Sequence, residues 1–513
     1  MDARLLEANR LLLQKQPQLA EVVCRQVLSD RPRDPQALAM LGSLQHKRGD
    51  WAGALASFET AVQSQPGSAV LRNLQALTLQ KLDRFGEAEA AWREALALQP
   101  ESGETLMNLG VALHHQQRFG ESLQMLDRAL ALRPDSLDIQ LNRANALMEL
   151  DRFDEAMAAL ALVRAAQPSD VPLLMNIANA LRDQHRFDEA LATYAEALAL
   201  RPEDPGLRWN RSLCLLTSGD LAQGWAEYEW RWKAPRLGNV TRKFDAPKWL
   251  GREPVAGKTV LIHPEQGLGD SIQMARYARV LAGRGAKVIL QVQKALLPLL
   301  RNTAGAAKVI APDEDPGPID FHCPMFSLPL AVGTVHETVP SPLGIFSADP
   351  ALVAKWRETL AGGSGPNVGL VWSGNPGYAD DHRRSLALSA FRAALPPGPR
   401  YWCLKKDVVP SDEAALHEDP PIRRFDQNDF IHTAAQISAL DLVISVDTSV
   451  MHLAGTLGTP TWIVLSFKAD FRWGTATEST PWYPGARIFR QKKPGEWGPV
   501  LAEIRDALAN FPR

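Results

Sequence analysis

No apolar stretch in the 513-residue sequence approaches the ~20 residues that a membrane-spanning helix needs, so no membrane span is expected. Cysteine is scarce: Cys24, Cys214, Cys323 and Cys403 lie far apart and never form a C-x-x-C pair, which argues against a disulfide framework and against a zinc site. Net charge is nearly absent, −2 at pH 7, so the basic footprint of a nucleic-acid-binding surface is missing. The opening MDARLLEANRLLLQKQ is an amphipathic helix bearing acidic residues, unlike a secretory leader. Together these absences predict a cytoplasmic protein with no nucleic-acid partner.

What is present is a beat. Pro32, Pro66, Pro100, Pro134, Pro168 and Pro202 fall 34 residues apart, as only a stack of equal units would keep them. Twelve positions earlier comes a small residue, Ala20, Ala54, Ala88, Ser122, Ala156 and Ala190, and four positions later Cys24, Phe58, Trp92, Leu126, Leu160 and Tyr194. A small residue lets two helices approach and a bulkier one fills the next groove. A second small column, Gly42, Ala76, Gly110, Ala144 and Ala178, fits the first helix of each helix–turn–helix unit. Period and residue types resemble the tetratricopeptide repeat. Six repeats are expected to about residue 204 and an atypical seventh to about 235.

One further column speaks to purpose. Asn108, Asn142, Asn176 and Asn210 stand at the same place on four successive first helices. A primary amide pairs with a peptide unit whatever its side chain. The repeat domain of the eukaryotic O-linked N-acetylglucosamine transferase carries a similar asparagine ladder, and the resemblance implies an extended polypeptide on the concave surface. Local capping or hydrogen bonds between repeats is the plainer alternative.

The texture changes beyond the array. After a linker (236–257), TVLIH (259–263), SIQMARYARVLAGRG and KVILQV (287–292) alternate strand with helix; NVGLVWSG (367–374), YWCL (401–404), DLVISV (441–446) and TWIVL (461–465) repeat the pattern. Such alternation predicts parallel sheets covered by helices. The expected organisation is an α-solenoid over 1–235, the linker, and two doubly wound, Rossmann-like lobes over 258–345 and 346–513.

The loop PEQGLGDSIQ resembles the G-L-G-D loop of bacterial heptosyltransferases, which implies Asp270 as a catalytic base taking the proton of an acceptor hydroxyl. Aspartate also suits a helix N-cap, and His263 and Glu265 at the same strand end are reserve candidates. VISVDTSVMHLAGTLGTP (443–460) is similar to the D-T/S-x-x-x-H-L-A-x-A-L-G-x-P signature of the same family. That places donor diphosphate at the start of the following helix, with Asp447, Thr448, Ser449, His452 and Gly455 around it, and a helix start is an anion site on physical grounds. His452 either neutralises phosphate or stacks under the loop.

Two more strand ends should face the same crevice. In VWSGNPGYADDHRRSLAL, Trp372, Ser373 and Gly374 leave the strand, Asn375 and Gly377 keep the loop open, and the Arg383–Arg384 pair suits phosphate or carboxylate, a solvated charge cluster being the alternative. Lys405, followed by Lys406, ends another strand near the donor, and a plain surface pair is an equal reading. Asp470, Arg472, Trp473, Trp482 and Tyr483 either wall a sugar pocket or belong to the core. Asp313-Glu314-Asp315 matches a D-x-D pattern but lies in a proline-rich loop and reads as a solvated acidic turn, so no metal is expected, and no cofactor beyond a nucleotide-sugar substrate.

Residues 258–510 thus resemble the heptosyltransferase-like glycosyltransferases of GT-B fold, which implies an acceptor side over 258–345 and a nucleotide-sugar side over 346–513, and the domain order is similar to that of bacterial flagellin glycosyltransferases. The resemblance implies transfer from a nucleotide-activated nonulosonic acid to serine or threonine of a protein held by the array. A lipopolysaccharide-type transferase and a non-catalytic repeat scaffold are the alternatives.

Overall fold

The structure, a computed structural model, describes residues 2–234, 244–363, 365–378, 380–426, 429–468, 470–475 and 478–512. The chain divides into two compact units, Met1–Ala180 and Leu181–Arg513. Among the described residues the array runs from the helix Ala3–Leu13 to the helix Leu221–Tyr228 as fourteen helices in seven consecutive pairs.

The prolines work through the residue before them. Arg31, Gln65, Gln99, Arg133, Gln167 and Arg201 cap the second helices with φ between −134° and −140° and ψ between 67° and 81°. The proline ring forbids the helical conformation at that position and ends the helix there. The small column is buried throughout, with Ala20, Ala54, Ala88, Ser122, Ala156 and Ala190 all solvent-free. In the second small column the reason is steric: a Cβ on Gly42 would sit 2.8 Å from the Phe58 ring, and one on Gly110 2.8 Å from Leu126.

A second 34-residue beat emerges only from the backbone. Lys15, Gly49, Asp83, Gln117, Asp151, His185 and Gly219, one in the turn of each pair, are all left-handed, with φ between 56° and 102°. At Gln117 the turn closes with Arg118 N–H donating to the Leu113 carbonyl at 2.9 Å, a Schellman closure. Glycine fills only two of the seven positions, so the others carry the cost of a side chain in the left-handed region.

The second unit holds, besides the last repeat helices, two parallel sheets. The first has the order β3-β2-β1-β4 and comprises β1 (Thr259–His263), β2 (Lys287–Gln291), β3 (Ala306–Ile310) and β4 (Phe321–Pro324). The second has the order β10-β9-β8-β5-β6-β7 and comprises β5 (Asn367–Val371), β6 (Arg400–Cys403), β7 (Ile422–Arg424), β8 (Leu442–Val446), β9 (Thr461–Leu465) and β10 (Ala486–Arg490). Every residue of β5, β8 and β9 is buried, as expected of parallel strands covered on both faces. Strand order reverses between β1 and β4 in one sheet and between β5 and β8 in the other. At such switch points the connections leave in opposite directions and open a crevice at the strand C-termini.

The six strands read from the sequence lie where they were expected, five within a residue at each end and NVGLVWSG shorter, as Asn367–Val371, whereas β3, β4, β7 and β10 were not anticipated. The helix SIQMARYARVLAGRG is not continuous: it divides into Leu268–Met274 and Tyr277–Gly283. Of the linker, residues 236–243 lie outside the described set, and the rest is anchored by Trp249, which is buried and whose backbone N–H donates to the His322 carbonyl on β4 at 2.8 Å.

Replacing Gln117 by glycine should stabilise the array by about 0.5–1 kcal/mol, the left-handed penalty less the added freedom of the unfolded chain. Chemical denaturation of wild type and Gln117→Gly checks this; a destabilised variant would contradict the turn assignment.

Candidate functional site

Four adjacent strands of the second sheet deliver their C-terminal residues to one place. Trp372, Ser373 and Gly374 follow β5, Lys405 follows β6, Asp447, Thr448 and Ser449 follow β8, and Lys468, Asp470 and Arg472 follow β9. The residues singled out in three separate sequence segments are therefore neighbours. The loop after β1, carrying Gly267 to Asp270, meets them from the other lobe. A Cβ on Gly269 would lie 2.7 Å from the His452 ring and 3.3 Å from the Ser449 Cα, so the two helix starts are in contact and only glycine fits between them.

Asp270 is not the N-cap the sequence suggested but stands two residues into the helix Leu268–Met274. Its Oδ2 accepts the Gly267 N–H at 2.8 Å and its Oδ1 accepts from Arg472 at 2.6 Å. Burial raises its carboxyl above the ordinary value, with Arg472 and the Gly267 N–H opposing. It keeps 19% of its side-chain surface exposed, enough for a substrate hydroxyl to reach it.

Arg472 is the centre of this arrangement. Its Nε donates to Gln273 Oε1 at 2.8 Å, one terminal nitrogen serves both oxygens of Asp470 at 2.9 and 3.0 Å, and the other serves Asp270. Its guanidinium also lies over Phe471 at 4.4 Å. Arg276 crosses the other way, from the first lobe to the Trp482 carbonyl at 2.8 Å. The two lobes are thus stitched by reciprocal arginines.

Asp447 accepts from Trp473 Nε1 at 2.9 Å, and its own carbonyl accepts from Arg384 at 2.6 Å. Burial and the nearby Asp470 raise its carboxyl, against Arg472. Thr448 pairs its hydroxyl with Ser445 at 3.1 Å. Gly455 lets the Tyr483 ring close in, since a Cβ there would meet it at 2.4 Å. His452 is buried, bonded through Nδ1 to the Tyr483 hydroxyl at 2.8 Å and 3.7 Å from Asp447. Burial, together with Arg472, Arg276 and Arg384, pushes it well below the usual histidine range. Neutral at pH 7, it has no charge to offer a phosphate and acts as a wedge between Tyr483 and Asp447.

In the loop after β5, Trp372 is a core residue whose Nε1 donates to Asp412 at 2.7 Å. Gly374 donates to Ser385 at 2.8 Å, and Asn375 closes a local turn by accepting the Gly377 N–H at 2.9 Å. Arg384 pairs with Asp381 at 2.9 Å and lies 4.6 Å over the Tyr378 ring, and Arg383 is buried 3.3 Å from Asp380. Lys405 is buried, bonds Ser373, and is lowered by that burial.

The reserve candidates are both engaged with protein groups. Glu265 takes a forked pair from Arg231, at 2.8 and 3.0 Å, and the Phe326 N–H at 2.8 Å, tying the segment after the last repeat helix to the first lobe. His263 bonds His322 at 3.0 Å. Asp313, Glu314 and Asp315 are spent on Lys294, the Ala311 N–H and the Gly317 N–H respectively. Among the described residues no three histidine, cysteine or carboxylate side chains gather as a metal site.

In the first unit, a groove of about 430 Å³ over the leading repeats is lined by Met40 and Ser43 among others. Asn108, Asn142 and Asn176 occupy the Met40 column two, three and four repeats on. Each is partly exposed. Asn142 Nδ2 bonds back to the Asp138 carbonyl at 2.9 Å, and Asn176 reaches Asn145 at 3.4 Å. In the second unit Asn210 bonds the Gly206 carbonyl at 2.9 Å. The Ser43 column adds Asn145 and Asn179, a second row at the same 34-residue spacing.

Two tetratricopeptide repeat models match the chain, one over residues 73–136 and 175–229, the other over 11–77 and 113–176. The helical array consists of tetratricopeptide repeats. Protein FlbA of Caulobacter vibrioides is 27% identical over 333 residues, covering 60% of this chain and 55% of that protein, so the chain spans about half the length of this relative. Among solved structures, a tetratricopeptide repeat protein from Parabacteroides merdae is 17% identical with a TM-score of 0.39 and covers 44% of this chain and 90% of its own. Pseudomonas aeruginosa pilF is 19% identical with a TM-score of 0.36, over 40% and 94%.

The depressed titration of His452 carries a pH dependence. The unfolded chain takes up its proton below about pH 6.5 while the folded chain does not, so this group's contribution is present above that pH and is lost on acidification. His452→Gln should therefore lose less stability than wild type between pH 7 and pH 5, measured by denaturation at each pH. An equal loss would mean that the folded imidazole takes up its proton as readily as the unfolded one.

Proposed function

We propose that this protein is a glycosyltransferase that moves a sugar from a nucleotide-sugar donor to a serine or threonine hydroxyl of a protein recruited by the repeats. The observation that carries the reading is the contact at Gly269, which sets the half-buried Asp270 carboxylate against the helix start Ser449–Leu457 at switch points of two parallel sheets.

The unpaired N–H groups of that helix start, with Arg384 and Arg472 beside them, receive the donor's phosphate. Asp270 accepts the proton of the acceptor hydroxyl as its oxygen forms the new bond to the anomeric carbon, and the bond from that carbon to phosphate breaks. The phosphate leaves carrying the electron pair, stabilised by the helix start and the guanidinium groups. Burial makes Asp270 a stronger base than a surface carboxylate, and Arg472 keeps it ionised and aimed. The repeats present amides suited to an extended backbone, which favours a protein acceptor. The resemblance to flagellin glycosyltransferases makes flagellin the acceptor to test first and a nonulosonic acid the sugar.

Asp270→Asn should retain nucleotide binding and the Gly267 bond while slowing transfer by about 10²–10⁴-fold, the usual size of a general-base contribution. Transfer to flagellin, followed by intact-mass spectrometry, measures it. Unchanged turnover would remove Asp270 from the mechanism.

A further inference from the structure

The loops that carry the donor site of the proposed reaction are not held by their own sheet alone. The helix Asp381–Arg384 has only four residues, and the segment after β9 has no regular structure among its described residues up to Glu478. Contacts that reach both come from the end of a repeat helix. Asp183, the last residue of Val171–Asp183 and only 7% exposed, divides its two oxygens: Oδ1 accepts from Arg182 at 2.9 and 3.0 Å, and Oδ2 lies 3.4 Å from Lys468 Nζ. Lys468 in turn lies 3.5 Å from Asp380, and Asp380 pairs with Arg383 at 3.3 Å. Two residues on, the left-handed His185 stacks on Phe467 with centroids 4.4 Å apart and planes 18° apart.

A chain of alternating charge thus runs Asp183, Lys468, Asp380, Arg383. Although burial opposes its ionisation, Asp183 is held below the ordinary carboxylate range by Lys468 and Arg182. Removing the first member leaves Lys468 facing Asp380 alone and the stack on Phe467 without its neighbouring ion pair. The chain leads to Arg384, whose guanidinium holds the Asp447 carbonyl at the helix start.

We propose that Asp183 is a positioning residue of the donor site, acting through Lys468 and Asp380 to set the Arg383–Arg384 helix. The repeat segment is in this respect a part of the active site as well as a surface for the acceptor. The inference rests on the reading of the second sheet's strand ends as the nucleotide site, and its test separates the two.

Full-length wild type, Asp183→Asn, Lys468→Met and the double variant are titrated calorimetrically with UDP, ADP, GDP and CMP, with thermal unfolding recorded for each. The nucleotide that binds wild type should bind Asp183→Asn about tenfold more weakly, within the usual range of such couplings, at an unchanged unfolding midpoint. In the Lys468→Met background the same substitution should change affinity less than twofold, because the route is already cut. Equal affinity in wild type and Asp183→Asn, or fully additive losses, overturns the inference while leaving the donor site standing. A wild type that binds none of the four overturns the donor reading and the inference with it. If Asp183→Asn lowers the unfolding midpoint, Lys468→Met supplies the same comparison from the loop side, and its unchanged affinity would count against the proposal.

Discussion

The guanidinium of Arg472, buried between the two sheets, is the contact on which the rest of the site depends. It bonds a carboxylate and an amide of the first lobe and a carboxylate of its own loop. A charge so placed is costly unless its donors are paired, and here its hydrogen bonds go to groups on both sides of the cleft. That requirement fixes the spacing of the lobes, and with it the approach of Gly269 to the helix start at Ser449. Asp270 derives its orientation from the same group.

The electrostatics follow from that geometry. Asp270, Asp447 and Asp470 share one guanidinium, and burial with mutual repulsion raises Asp270 and Asp447 against the pull of Arg472. A carboxylate poised in this way takes up a proton more readily than a free one, which is what the proposed transfer asks of Asp270. His452 adds no charge, and its bond to Tyr483 packs the helix start against Tyr483 and Trp473. On the proposed reading the donor's negative charge is answered by the helix start, Arg384 and Arg472, with Lys405 held back against Ser373.

Much of this was legible in the chain itself, for definite reasons. The prolines revealed the repeats because each forces one residue out of helical geometry, and the small column was visible because helices cannot approach past a larger side chain. Buried parallel strands read as uninterrupted apolar runs, so β5, β8 and β9 were plain. Motif position alone gathered Asp270, Asp447 and Arg384. What stayed hidden depends on separations that no period records. The Arg472–Asp270 bond joins residues 202 apart, and nothing in the spacing singles Arg472 out from the aromatics beside it. The left-handed beat escaped notice because Lys, Asp, Gln and His occupy positions where glycine would have announced it. Glu265 looked catalytic because it stands at a strand end, whereas Arg231, 34 residues upstream, holds it as a structural pair.

The central claim is that residues from both lobes form one ligand site. Hydrogen exchange of the wild-type chain, with and without a saturating nucleotide-sugar, tests it most directly. The account predicts slowed exchange at 267–273 together with 373–384 and 447–455 in a single binding event. Protection confined to one lobe, or absent from both, would contradict it.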